Sequence, residues 1–322
     1  MRIGFICFVA FVFVLVASCS TKDEGVVVAV IPKGTTHEFW KSIHAGALDA
    51  AKEAGAEVIW KGPPKEDDRA QQQKVVEDFV TKKVSGIVLA PLDERALAPQ
   101  VREATQAGIP VVIIDSDLKD ADYLSFVATD NVKGGELGAE RLGTLLGGKG
   151  RVIMLRHQEG HASTTNRETG FLDTMKSKFP GIQLISDNQY GGPTAATSQT
   201  AAENLLTRFN KEVDGIFCSN ESATFGMLLA LQSAGLAGKV KFVGFDASEK
   251  LVAALRKEEI HGLVVQNPYK MGFLGVRAIL QHLKKQPVEK RVDTGVVMAI
   301  KENMDGPEVK KLLSPDLPAD VR

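Results

Sequence analysis

Residues 108–117 read GIPVVIIDSD. Gly108 closes the helix-patterned segment Arg95–Ala107, at the place where a left-handed C-cap favours glycine. The run Ile109–Ile114 is apolar without alternation. A strand of that kind has both faces covered, as in a parallel sheet held between helices. The run then breaks into Asp115-Ser116-Asp117. In open parallel sheets, ligands bind at the loops beyond the strand C-termini, so these polar residues are the first candidates for function.

The same unit recurs on either side. Upstream, Val26–Ile31, Glu57–Trp60 and Gly86–Ala90 read as strands. Helices fill the intervals: His37–Ala54, ended by Gly55, and Asp67–Lys82, whose Ala70, Val75, Val76, Phe79 and Val80 lie near one face. Downstream, Ser125–Ala128 is a short crossing strand, and the pattern restarts with a helix over Asn131–Leu146. Strands follow at Gly150–Leu155, Ile182–Ser186, Gly215–Cys218, Val240–Phe245, His261–Val265 and Thr294–Ile300. Between them lie helices over Ser163–Phe179, Thr194–Phe209, Glu221–Ala234, Ser248–Lys257 and Pro268–Lys284. This alternation predicts an α/β protein with two doubly wound, Rossmann-like parallel sheets.

The length of 322 residues suits two domains, and 44% hydrophobic with 25% charged residues is an ordinary globular balance. The formal net charge is -1 and basic residues are dispersed, which argues against nucleic acid or an anionic membrane surface as a partner. Residues 3–16, IGFICFVAFVFVLV, fit the core of a signal peptide over 1–18. Val16-Ala17-Ser18-Cys19 resembles the bacterial lipobox, which makes Cys19 a lipidation site and 19–25 a tether. The other cysteines are Cys7, within the signal, and Cys218, within an apolar strand, so no disulfide is expected. His157 and His161 stand four apart around Glu159, but RHQEGHAST reads as a loop, and no metal site is expected. Gly147–Gly150 precedes a strand and is a turn; Gly134-Gly135 suits a close-packed helix entry. No phosphate-loop, dinucleotide or nucleophile-elbow pattern occurs, so neither a cofactor nor an enzyme is expected.

The loops after the strands carry polar residues of one kind: Thr35–Trp40, Asp115–Asp117, Asn220-Glu221, Asp246 and Gln266-Asn267. With EFWKSIHAGA, GIPVVIIDSD, ATDNVKGG, NRETGF, FCSN, VGFD and VVQNP in this order, the chain from about Val26 to Ile300 resembles the ribose-binding-protein branch of the periplasmic binding proteins, which share their fold with the effector domains of LacI-type repressors. The resemblance implies a type I periplasmic binding protein with a three-segment hinge near Ala128–Asn131, Gln266-Asn267 and Asp293–Gly295. One lobe is then 26–129 plus 267–293, the other 130–266 plus 294–300, with a tail over 301–322.

By the same resemblance, Phe39 and Trp40 match the aromatic pair that packs on a sugar ring, and Asp115, Arg167, Asn220, Asp246 and Gln266 match polar ligands. His37 stands where the family commonly has asparagine. Ser116, with Asp117 after it, stands where ribose binders have arginine; that departure bears on which sugar, not on the class. Tyr190 is the candidate for the aromatic that closes the pocket from the second lobe. The chemistry is apt: carboxylates accept paired hydroxyls, arginine donates in a planar fork, amides do both, and aromatic rings cover C–H faces. Asn220 and Asp246 also stand where helix caps belong.

The implied function is a monomeric, extracytoplasmic, membrane-anchored substrate-binding lipoprotein of an ABC importer. It takes a pentose or hexose by hinge closure and delivers it to a permease in the cytoplasmic membrane. Alternatives are a sensory receptor of the same fold feeding a chemoreceptor or kinase, and a sugar-processing enzyme using Asp115 and Asp246 as acid and base.

Overall fold

The first strand, β1 (Val27–Ile31), shows why its sequence does not alternate: Val28 and Val30 enter one apolar core, Ala29 and Ile31 another on the opposite face. The computed structural model describes residues 25–209 and 212–315, with 317, 318 and 321. Strand β1 pairs in parallel with β2 (Glu57–Trp60) and β3 (Gly86–Leu89), and β3 with β4 (Val111–Ile114). Adding β5 (Ser125–Ala128) and β11 (Arg291–Asp293) completes a six-stranded sheet in the order β11-β5-β4-β3-β1-β2. Helices α1 (Glu38–Ala54) and α9 (Pro268–Leu283) cover one face; α2 (Arg69–Thr81) and α3 (Ala98–Gln106) cover the other.

The second sheet repeats the plan. Its strands β6 (Gly150–Arg156), β7 (Ile182–Tyr190), β8 (Gly215–Cys218), β9 (Lys241–Phe245), β10 (Gly262–Gln266) and β12 (Val296–Ala299) run in the order β12-β10-β9-β8-β6-β7. Helices α4 (Asn131–Leu145) and α5 (Ala162–Lys178) pack on one face around Phe171 and Phe217, stacked at 4.1 Å. On the other face lie α6 (Ala195–Phe209), α7 (Glu221–Ser233), α8 (Glu249–Arg256) and α10 (Pro307–Leu313). The expected tail thus contains a helix, and Met304 and Leu313 enter the second core.

Two wholly parallel sheets were expected, but β12 is antiparallel to β10. The reason is topological. Strand β11 runs parallel to β5 and ends at the C-terminal edge of the first sheet. Only Thr294-Gly295 separates it from β12. The chain therefore enters the second sheet at its C-terminal edge and must run against the other strands. A parallel entry needs a crossover of a dozen or more residues.

Helix pairs in both lobes are in backbone contact. A Cβ on Gly46 of α1 would sit 2.0 Å from the Tyr269 carbonyl oxygen of α9, and one on Gly272 would sit 2.0 Å from that of Ile43. In the second lobe a Cβ on Gly135 of α4 would sit 1.9 Å from the Arg167 carbonyl oxygen of α5. The tight α4–α5 crossing thus fixes the turn that carries Arg167. Among the described residues, no helix is long and apolar enough to cross a membrane.

Candidate functional site

The C-terminal edges of the two sheets face each other across a cleft. The first lobe contributes Lys33, His37, Phe39, Trp40, Glu66 and Asp115. The second contributes His157, His161, Ser163, Thr164, Arg167, Asn220, Glu221, Asp246 and Gln266.

Asp115 and Asp246 occupy equivalent places, directly after β4 and β9. Both have left-handed backbones, with φ of 62° and 68°, a region that side-chain-bearing residues other than Asn, Asp and His seldom enter. Each is pinned by its own N–H, which donates to the neighbouring strand: Asp115 to the Val127 carbonyl at 3.2 Å, Asp246 to that of Val264 at 2.8 Å. The same turn, used once in each sheet, aims one carboxylate into the cleft from each lobe.

Arg167 lies between them, 3.9 Å from Asp115 Oδ1 and 3.8 Å from Asp246 Oδ2. Its Nε donates to Asn131 Oδ1 at 2.8 Å and its Nη1 to the Ser219 carbonyl at 3.1 Å. The guanidinium carbon lies 4.1 Å from the centre of the Phe245 ring. Lys33 Nζ lies 2.6 Å from Asp115 Oδ2 and donates to Ser116 Oγ and, across the cleft, to Ser163 Oγ. Asp246 accepts from Gln266 Nε2 at 2.6 Å and from the Glu221 N–H at 3.1 Å. Burial pushes the Asp246 carboxyl up, against the pull of Arg167 and Gln266.

A second cluster surrounds Glu66. Its Oε1 accepts from Trp40 Nε1 at 2.6 Å and lies 3.0 Å from His37 Nδ1; its Oε2 is 3.1 Å from His157 Nε2. Burial alone would raise the Glu66 carboxyl, but His37 and His157 hold it well below the usual carboxylate range. Burial opposes a charge on His37, yet Glu66, then Glu221 and Asp246, outweigh it and push His37 up to about 9. Burial pushes the Glu221 carboxyl up to about 7, His37 opposing and Asp246 adding to the rise.

These two shifts give a pH dependence. A raised histidine stabilises the folded protein fully below its unfolded value near pH 6.5, and that stabilisation is lost as pH rises through about 9. A raised carboxyl lowers stability as pH climbs from the ordinary carboxylate range to about 7. Both slopes run downward, that of Glu221 below about pH 7 and that of His37 above it, so the fall of the thermal midpoint expected between pH 7 and 9 comes from His37. In His37→Gln the fall over that window should largely disappear; an unchanged slope would assign it elsewhere.

Of the residues expected from the sequence, His37, Phe39, Trp40, Asp115, Arg167, Asn220, Asp246 and Gln266 all line the cleft. Phe39 and Trp40 meet edge to face at 5.0 Å. Asn220 fills both of its roles: its Oδ1 caps α7 by accepting from the Ala223 N–H, and the residue also lines the cleft. Ser248, not Asp246, caps α8. Ser116 sits behind Asp115, accepting from Lys33 Nζ and from the Ser163 N–H.

Two expectations need correction. Asp117 faces away from the cleft, accepting from Tyr123 Oη at 2.6 Å and from Arg291 Nη1 at 3.1 Å, because the loop after Ser116 leaves the strand edge. Tyr190 is not a cleft residue: it ends β7, an edge strand, and meets Arg156 at 5.8 Å. Lys33, Glu66, His157, His161, Ser163 and Thr164 were not expected in a binding role, whereas Glu221 stood among the strand-end polar residues. The strand-end rule reaches Lys33, two residues beyond β1, and His157, next to β6.

The lobes are closed. Phe39 N–H donates to Glu221 Oε2 at 3.3 Å, Gln158 Nε2 to the Glu66 carbonyl at 2.8 Å, and Glu94 N–H to the Gly160 carbonyl at 3.0 Å. They leave a cavity of about 30 Å³, roughly one water's share of liquid volume. A sugar therefore enters only as the lobes part and side chains reorient. A larger hollow of about 310 Å³ shares Phe39, Asp246 and Gln266 with the cleft and is bounded by Val252, Leu312 and Leu313.

Comparison with known proteins places this geometry. Residues 28–287 match the periplasmic binding protein domain family. The chain is 30% identical to the D-allose-binding periplasmic protein of Escherichia coli, over 84% of this chain and 91% of that protein. It superposes on an ABC transporter solute binding protein of Agrobacterium vitis with bound D-fucose, with a TM-score of 0.85 and 38% identity, covering 89% of this chain and 100% of that one. A carbohydrate transporter solute binding protein of Agrobacterium radiobacter in complex with D-arabinose gives a TM-score of 0.87 and 34% identity, over 91% and 100% of the two chains.

Proposed function

The chain belongs to the periplasmic binding protein domain family, and from that membership we propose that it is the extracytoplasmic sugar-binding component of an ABC importer, closing on a pentose or hexose and presenting it to a permease. The observation that carries the reading is the convergence of Asp115 and Asp246 from two sheets on one cleft, with Arg167 between them. Its relatives are sugar-binding transport proteins, not enzymes, and the mechanism has no covalent step.

Sugar hydroxyls would donate to Asp115 and Asp246 and accept from Arg167 and Asn220. Gln266 Oε1 is buried without a hydrogen-bond partner among the described residues, so it is an acceptor suited to one more hydroxyl. His37 supplies a charged donor at the rim. Phe39 covers a C–H face; Trp40 backs it and orients Glu66 through its indole N–H. Micromolar binding needs about 8 kcal/mol, which a few charge-assisted hydrogen bonds of roughly 1.5–3 kcal/mol each supply after the cost of ordering.

Binding proceeds by hinge closure, the motion for which periplasmic binding proteins are a standard case. A sugar held by both lobes has higher affinity for the closed form, and that difference shifts the equilibrium. The lobes are 26–129 plus 267–293 and 130–266 plus 294–300, the second extended by the tail helix Pro307–Leu313. The signal peptide 1–18, the anchor at Cys19 and most of the tether 19–25 lie outside the described residues; they complete the reading as a monomeric lipoprotein held at the membrane.

A calorimetric and thermal-shift series with D-allose, D-ribose, D-arabinose, D-fucose and a polyol tests the reading. At least one monosaccharide is expected to bind at micromolar concentration or tighter and to raise the thermal midpoint. No response to any pentose or hexose would defeat the assignment.

A further inference from the structure

We propose that Glu66, His157 and His161 form a three-ligand site for a divalent transition-metal ion of the zinc class, assembled only when the two lobes are closed. The ligand atoms lie within 4.8 Å of one another, and all three residues are buried. Glu66 comes from the loop between β2 and α2; the histidines flank the loop between β6 and α5. Zinc bonds of about 2.0–2.2 Å place tetrahedral ligand atoms roughly 3.3–3.6 Å apart, a little inside the 4.8 Å within which these atoms lie.

Two further observations point to an ion instead of a hydrogen-bonded cluster. The Nδ1 atoms of His157 and His161 are both buried with no hydrogen-bond partner among the described residues. Unpaired buried polar atoms are costly and rare, and two in adjoining imidazoles, 4.8 Å apart edge to face, share one remedy. The His157–Glu66 hydrogen bond occupies one nitrogen and leaves both Nδ1 atoms unexplained. Glu66 is also oriented as metal carboxylates are: Trp40 and His37 hold Oε1, leaving Oε2 toward the histidines.

The donor set selects the ion. Two imidazoles and one carboxylate suit zinc, copper or nickel and disfavour magnesium and calcium, which take oxygen ligands. Three protein ligands leave a fourth position for water or a ligand hydroxyl. Two nearby groups would repel a cation, and each is paired: the Lys33 ammonium with Asp115 at 2.6 Å and His37 with Glu66 Oε1 at 3.0 Å, on the oxygen away from the histidines. Because the ligands come from opposite lobes, an ion bound to all three stabilises the closed form by its differential affinity. The site shares the cleft with the proposed sugar contacts, Trp40 and His37 touching Glu66, so the metal is tested without sugar and the sugar without metal.

The test uses the full chain purified without an affinity tag, stripped with chelator, dialysed, and titrated calorimetrically with zinc chloride in the absence of sugar. One ion per chain is expected at micromolar affinity or better, with no comparable response to magnesium or calcium. His161→Ala and the near-isosteric Glu66→Gln should each weaken zinc binding more than about tenfold; if His161→Ala melts early, Glu66→Gln carries the comparison. Absence of stoichiometric zinc binding, an equal response to magnesium, or undiminished binding in Glu66→Gln overturns the proposal. Sugar titrations in chelator report separately on transport binding.

Discussion

Asp246→Ala is expected to reduce sugar affinity by about 30-fold or more, leaving about a quarter of the sites filled or fewer at ten times the wild-type dissociation constant. Truncating a buried, hydrogen-bonded charge costs about 2–5 kcal/mol, and each 1.4 kcal/mol is tenfold. The carboxylate is the acceptor for Gln266 Nε2 and the Glu221 N–H, so its loss disorders two neighbours as well as removing an acceptor for the sugar. Alanine also sits poorly at the left-handed φ of 68°. Asp246→Asn tolerates that backbone and keeps the shape, so it isolates the charge; it should weaken binding by roughly tenfold, the value of one charge-assisted hydrogen bond. Calorimetry measures both, and melting without sugar separates site from fold. Full affinity in Asp246→Ala would remove this carboxylate from the site.

Arg167→Met should lower the stability of the protein by about 3–5 kcal/mol at pH 7, as expected when one partner leaves a buried ionic network. Arg167 serves Asn131, the Ser219 carbonyl and two carboxylates, and it stacks on Phe245. Methionine restores the apolar contact and nothing else. The penalty should shrink on acidification. Burial already raises the Asp246 carboxyl, and Arg167 is the largest force opposing that rise. Without it the folded value moves further above the unfolded one, so stability falls as pH rises through that interval and recovers below it. Urea unfolding at pH 7 and at about pH 4, compared with wild type, measures the difference. A penalty independent of pH would show that packing, not charge, makes Arg167 matter.

Much of this molecule could be read from its residues. The uniform apolarity of Val26–Ile31 and Ile109–Ile114 reflects strands covered on both faces, and the polar residues that end such strands, Asp115, Asn220, Asp246 and Gln266, line the cleft. What escaped depends on contacts remote in sequence. Glu66 sits in KEDDR, indistinguishable from a solvated loop, and only lobe closure brings it to His157, 91 positions away. The direction of β12 is set by where the chain leaves the other sheet, which local pattern does not encode. Asp117 and Tyr190 show the opposite error: one adjoins a cleft residue in sequence and the other ends a strand of the right sheet, yet neither side chain points into the cleft.

The chain passes between the lobes at three places: from β5 to α4, from β10 to α9, and from β11 through Thr294-Gly295 to β12. At the last of these, Asp130 N–H and Gly295 N–H both donate to Asp293 Oδ1, lacing adjacent passages together. Two bodies joined by parallel straps swing like a door and resist wringing or sliding. The faces offered to a membrane partner therefore meet in a reproducible alignment on every swing, and a nick in any single strap leaves both halves attached.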